Sequence, residues 1–182
     1  MEAASELILE KGWEATTAAE IGRRAGYSRA MVSQRFGSKE ALLDELLTLD
    51  YEDRLMPRPI EGVSGMEQLQ TLFRRISEVY TEEPQFLEAL FVLGFEATKR
   101  GTSVTARMAS WINQVADLVE GAVRRGVQDG SFEPGIDIDD AVADIISTIM
   151  GVAYGWLVLP DRFDLPRQLD RMAQTVSQKF GG

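Results

Sequence analysis

Apolar positions along this chain recur three and four residues apart almost from end to end, and no segment alternates between apolar and polar side chains with a period of two. That pattern predicts an all-α protein. The residues between the periodic runs set the helix limits. Thr17-x-x-Glu20 and Ser64-x-x-Glu67 have capping-box spacing, and Ser28, Ser38, Thr102, Asp137 and Asp164 stand where N-caps belong. Pro84 suits a first helical turn, and Gly12, Gly26, Gly101 and Gly130 suit helix ends. Helices are therefore predicted near 2–11, 17–25, 28–35, 38–54, 64–81, 84–100, 102–128, 137–158 and 164–180. "MPRPIEGVSG" (56–65), with its prolines and glycines, cannot propagate a helix and reads as a linker. The chain divides into a small N-terminal domain, residues 1–50, and a larger bundle for ligand binding and dimerisation, residues 51–182.

Within the small domain, segments 17–25 and 28–35 are joined by "AGYS". So short a turn, with Gly26 able to take positive φ, makes two helices cross steeply, as in a helix-turn-helix. Ile21, Ala25, Val32 and Phe36 supply an inward face, and Leu7, Ile8 and Trp13 from the opening helix complete a three-helix core. Arg29, Ala30, Ser33 and Gln34 remain outward. These short or flat side chains and one Arg suit the floor of a major groove. An αα-hairpin with a solvated basic face satisfies the same pattern.

Charge sharpens that choice. The 182 residues carry a net charge of −10, which argues against nonspecific nucleic-acid binding by the molecule as a whole. Yet between Ile21 and Lys39 there are five basic residues, Arg23, Arg24, Arg29, Arg35 and Lys39, and no acid. A local basic face on an acidic chain is what a specific DNA binder uses, since the remainder discourages binding elsewhere. With no Cys and no His, thiolate nucleophiles, disulfides and the commonest general base and metal ligand are excluded. No nucleophile–base constellation is evident, so an enzyme is not expected. The longest apolar run, Ile149–Leu159, is about half the roughly 20 residues of a membrane helix. "MEAASELILEKGW" lacks a basic n-region and is interrupted by Glu6 and Glu10, unlike a signal peptide. A cytoplasmic protein without membrane contact is expected.

"ILEKGWEATTAAEIGRRAGYSRAMVSQRFGSKEALLDEL" closely resembles the N-terminal domain of the TetR family of transcriptional repressors. The shared features are Gly12 followed by an aromatic residue, Thr17 ahead of an Ile21-centred helix, "AGYS" at the turn, Phe36, and "SKEALL" opening the next helix. The resemblance covers about the first fifty residues; "DGSFEPGIDIDDAVADIISTIMGVAYGW" is similar to the stretch leading into the family's dimerising helices. Carried over by position, it implies that Ser28 caps the recognition helix and that Arg29, Ala30, Met31 and Gln34 meet base edges. Thr17, Ser33, Arg35 and Lys39 would meet phosphates. Two departures stand out. Members of the family usually carry Tyr at the position of Ser33, often also at Gln34, and Gly at Ala30. The basic arm that commonly precedes the opening helix is not in this sequence.

The larger domain is rich in aromatic and Met residues. Phe86, Phe91, Phe95, Met108, Trp111, Met150 and Tyr154 suit adaptable binding of an apolar molecule, although each also serves plain core packing. Gln114, Asn113 and Glu96 are candidates to orient such a molecule. Asp137, Asp139, Asp140 and Asp144 lack the glycine and the Glu of a calcium loop, so capping and dipole complementation are expected, with no metal or cofactor. Ile145, Ile149, Val152 and Trp156, then Leu165, Leu169, Met172 and Val176, form two apolar stripes expected at a homodimer interface. Gly151 and Gly155 would admit a partner helix there, and a bend in a packed core explains them equally well. The expected function is a ligand-responsive repressor that binds a palindromic double-stranded operator as a dimer and answers to an apolar or amphipathic effector. The alternative is a TetR-like ligand-binding or interaction protein with impaired DNA binding.

Overall fold

The computed structural model describes residues 2–58, 60–99 and 101–182; Pro59 of the expected linker and Arg100 at the end of the expected sixth helix lie outside them. Among the described residues the chain forms nine helices and no strand. These are α1 (Glu2–Lys11), α2 (Ala18–Arg24), α3 (Arg29–Phe36), α4 (Lys39–Glu45), α5 (Gly65–Glu82), α6 (Pro84–Glu96), α7 (Ser103–Asp129), α8 (Ile138–Val158) and α9 (Leu165–Phe180). Their order and limits follow the hydrophobic periodicity. Both capping boxes form: Glu20 N–H donates to Thr17 Oγ1 at 3.2 Å, and Glu67 N–H to Ser64 Oγ at 3.2 Å, with each Glu carboxylate accepting from the cap's own N–H. Asp137 caps α8 through the N–H of Asp140 at 3.0 Å, and Asp164 caps α9 through that of Arg167 at 2.9 Å. One feature departs from the periodicity. α4 widens into a π-helical stretch, Leu46–Glu52, before a last α turn, Asp53–Leu55. Leu46, Leu47 and Tyr51 stay buried through it.

The chain packs as two compact units, residues 1–54 with 83–112 and residues 55–82 with 113–182. This division by packing differs from the linear one at residue 50, because α6 and the first turns of α7 belong with the helix-turn-helix. In the first unit α1 lies on α6, and α2 on α3. Leu7, Ile8, Trp13, Ile21 and Val32 are buried, as the inward pattern requires. Ala25 is exposed instead, since it is the C-cap of α2 (φ −77, ψ 2) and its side chain leaves the helical register. Phe36 is half-buried, with the Arg35 guanidinium 5.1 Å from its ring centroid.

In the second unit α9 packs on α5 and α8. Here the structure corrects the expected dimer interface. Ile145, Ile149, Trp156, Leu165, Leu169, Met172 and Val176 are each no more than 8% exposed within the protomer, and only Val152 is half-buried. Both stripes close the core of their own unit, each such side chain contributing about 1.5–3 kcal/mol of burial. Ile145, Val152, Met172 and Val176 also border a concavity between α8 and α9. Gly155 is likewise committed internally, for a Cβ there would stand 2.5 Å from the Phe163 ring; around Gly151 a Cβ would meet nothing within 4 Å. What α8 leaves exposed is the opposite face, with Ser147, Thr148, Gly151, Tyr154 and Val158. α8 is also long and apolar enough to cross a membrane by length and composition, with 33% of its apolar window buried. The uninterrupted apolar run understated this, because Ser147 and Thr148 are uncharged and do not break the window.

Candidate nucleic-acid interface

The helix-turn-helix is built by two glycines and two caps. Gly26 adopts φ +77, a conformation a side chain resists, and so turns the chain between α2 and α3. Gly22 lets the two helices touch: a Cβ there would lie 2.6 Å from Val32 Cγ2 and 3.3 Å from the Tyr27 carbonyl oxygen. Ser28 accepts the Met31 N–H at 3.2 Å and starts α3, the role the family resemblance gave it. Ser38 accepts the Ala41 N–H at 3.0 Å and starts α4. Val32 anchors α3 to the core, while Arg29, Ala30, Met31, Ser33, Gln34 and Arg35 are all exposed. Tyr27 joins them at 56% exposure, a residue the sequence reading assigned only to the turn.

The five basic residues of this segment are not equivalent. Arg24 is held by Glu10, with Nη2 to Oε2 at 2.9 Å, and approaches Glu6 at 3.5 Å. Arg35 donates to Glu45 at 2.9 Å. Lys39 donates to the Glu14 carbonyl oxygen at 3.1 Å and lies 5.0 Å from the Trp13 ring centroid. Its partial burial pushes the ammonium's pKa down from the ordinary lysine value. Thr17 Oγ1 donates to Glu20 at 2.8 Å, so its hydroxyl is engaged in the capping box. Arg23 and Arg29 are exposed with no such partner among the described residues.

Residues 1–46 match the sequence profile of "Bacterial regulatory proteins, tetR family". The chain carries the DNA-binding domain of the TetR family. The chain is also 28% identical over 158 residues to the HTH-type transcriptional repressor KstR2 of Rhodococcus jostii (strain RHA1), covering 86% of this chain and 76% of the relative. Two solved structures share its fold. SmeT, the repressor of the Stenotrophomonas maltophilia multidrug efflux pump SmeDEF, in complex with triclosan, aligns with a TM-score of 0.85 at 22% identity, covering 100% of this chain and 89% of SmeT. Bacillus subtilis FadR in complex with stearoyl-CoA aligns with a TM-score of 0.79 at 18% identity, covering 97% and 95%.

The helix-turn-helix is tied to α6 and α7 by a set of polar contacts inside the first unit. Glu96 Oε2 accepts the Trp13 N–H at 2.8 Å. Gly12 makes that approach possible, since a Cβ on it would fall 2.0 Å from Glu96 Oε1. Glu14 accepts the N–H of Ser103 at 3.1 Å and its hydroxyl at 3.0 Å, and Arg107 forms a two-point ion pair with Asp44. Arg54 pairs with Glu83, at 3.1 Å for Nη1 to Oε2. Glu96, expected as an orienting group for a ligand, is instead engaged with the α1–α2 turn.

The expected ligand residues fall in different surroundings. Phe86 is buried and stacked on Tyr51, ring centroids 4.3 Å apart, with the Arg54 guanidinium 4.5 Å from the Phe86 ring centroid. Phe91 and Met108 are buried, and Phe95 and Trp111 half-buried, all in the first unit. A Cβ built on Gly94 would meet only Met108 Cε, at 3.9 Å. The Trp111 Nε1 is buried without a hydrogen-bond acceptor. Gln114, Asn113, Met150 and Tyr154 belong to the second unit, where Gln114, Asn113 and Tyr154 are exposed and Met150 half-buried.

Proposed function

We propose that this protein is a ligand-responsive transcriptional repressor, acting in the cytoplasm, that binds a palindromic operator as a homodimer. The observation that carries the reading is the open face of α3. Arg29, Ala30, Met31, Ser33 and Gln34 stand clear of the protein on a capped helix, inside an acid-free segment of an acidic chain. Arg29 is the long donor placed to take a guanine edge. A dimer presents two such helices to successive major grooves, about 34–36 Å apart. The pairing surface we assign is the exposed side of α8, with Gly151, Tyr154 and Val158, in place of the buried stripes.

The effector we assign is a small apolar or amphipathic molecule taken up on α6 and α7 by Phe91, Phe95, Met108 and Trp111. The unpartnered Trp111 indole N–H supports this, and it calls for an acceptor on the molecule. Relatives in structure hold triclosan and stearoyl-CoA, both with large apolar parts. A ligand there acts through its differential affinity for two arrangements of α6, which the Glu96–Trp13 contact transmits to the α1–α2 turn.

Selection from randomised duplexes followed by anisotropy titration tests the reading: a palindrome bound by two protomers, weakened or strengthened by an apolar ligand, supports it. A second reading, a TetR-like ligand-binding or interaction protein with impaired DNA affinity, is favoured by the internal engagement of Arg24, Arg35 and Lys39. Ligand binding without any preferred duplex supports that alternative.

A further inference from the structure

We infer that the effector is an organic cation, an apolar molecule whose ammonium group is held by Glu88 beside the aromatic side chains of α6. This deepens the effector reading above and rests on it. Phe91, Val92 and Phe95 stand three, four and seven residues after Glu88, so the four share one face of α6. Phe91 is buried, while Glu88, Val92 and Phe95 are half-buried. Within that apolar stripe the Glu88 carboxylate has no hydrogen bond or ion pair among the described residues. Its own helix cannot supply one. α6 contains no Lys or Arg, and Pro84, Gln85, Phe91 and Val92 occupy the positions three and four residues away. Arg54 and Arg107 are taken up by Glu83 and Asp44. The other acid of α6, Glu96, already accepts the Trp13 N–H.

The register of α6 against α7 places this acid among the effector residues. Thr105 Oγ1 donates to the Ala97 carbonyl oxygen at 3.1 Å, and a Cβ on Gly94 would stand 3.9 Å from Met108 Cε. The two helices therefore run antiparallel, and a further step of three residues brings Phe91 level with Trp111. Glu88 lies one helical turn beyond Phe91. A carboxylate partly withdrawn from water and left unpaired costs free energy, which a bound cation offsets. A metal ion does not suit the place, since Glu88 is the only acid on this face of α6 and no group of acids among the described residues could hold one. Aromatic side chains instead attract a diffuse organic cation. The buried Trp111 indole N–H is a donor only and asks for an acceptor on the same molecule. A cationic head, a hydrogen-bond acceptor and an apolar body define the class.

The test titrates the full chain with benzoylcholine and with its uncharged isostere, in which a tert-butyl group replaces the trimethylammonium. The two share ring, ester and shape and differ only in charge. The expected result is binding of the cation at least about tenfold tighter than of the isostere. Glu88→Gln should bring the cation down to the affinity of the isostere, and Glu88→Lys should exclude it, with unchanged melting temperatures showing the fold intact. Glu133→Gln removes the same charge from an exposed site in the second unit and should keep the preference, which separates a local partner from the net charge of −10. Equal affinities for the two probes, or a preference that survives Glu88→Gln, overturn the assignment. So does binding of neither probe while a broad apolar library yields only neutral or anionic ligands, and the effector reading then stands. A library that yields no ligand of any charge overturns both.

Discussion

At the scale of single residues, the recognition surface depends on which side chains are already occupied. Arg29 has no internal partner among the described residues, so Arg29→Ala should remove discrimination at one base pair per half-site by about 1–3 kcal/mol, with little change in melting temperature. Competitive binding of single-base operator variants measures it. Arg35 is different: its side chain is 68% exposed but donates to Glu45, a carboxylate that stands where a phosphate would compete. Glu45→Gln should raise operator affinity, by up to about fivefold, because an exposed pair of this kind contributes little beyond that. Glu20 is one carboxyl that adds acid sensitivity to the first unit. Its carboxyl is held down to about 2, from an ordinary 4.5, first by the Lys11 ammonium and then by Thr17. A lowered folded-state pKa stabilises the folded form above the ordinary value, and that contribution is lost as pH falls towards 2. Thermal melts of the protein and of Glu20→Gln should therefore differ above pH 4.5 and converge between 4.5 and 2; melts that stay equally far apart across that window would exclude the linkage.

At the scale of elements, α6 connects the aromatic-rich part of the first unit to the helix-turn-helix. Glu96 at its end holds the Trp13 N–H, with Gly12 shaped to receive it. Glu96→Gln should keep both DNA and ligand binding but reduce the factor by which ligand changes operator affinity, towards one. Gly94→Leu, whose Cβ would stand in ordinary contact with Met108 Cε at 3.9 Å, should either lock the effector response or abolish it without unfolding the protein. Titrations of operator with and without ligand read both. The helices and their caps were legible in the sequence because they depend on local signals: the Thr17–Glu20 and Ser64–Glu67 boxes, Ser28, Asp137 and Asp164 all act where spacing placed them. The orientation of α3 was legible for the same reason, since Val32 alone among its central residues faces the core. The role of Glu96 was not, because its partner lies 83 residues away in the chain and is a backbone group. Nor was Tyr27 visible as a surface residue, as helical periodicity says nothing of a side chain within a turn.

At the scale of the whole molecule, the apolar stripes of α8 and α9 show what periodicity leaves open. It identifies a buried face without saying whether the cover is the same chain or a second copy. In this chain α5, α8 and α9 cover one another. Leu169→Ala should consequently destabilise the protomer itself, by about 2–5 kcal/mol in denaturant unfolding, whatever the assembly state. On the pairing proposed through the open side of α8, Gly151→Arg with Tyr154→Glu should yield folded monomers by sedimentation, with operator affinity lost in parallel. The most direct measurement of the central claim is an anisotropy titration of the full chain onto its selected palindrome, repeated on a scrambled duplex and with a saturating apolar ligand. Two protomers per palindrome, at least about a thousandfold weaker binding to the scrambled duplex, and an affinity shifted by the ligand are the predicted results. Equal affinity for palindrome and scrambled duplex, unmoved by any ligand the protein binds, would contradict the account.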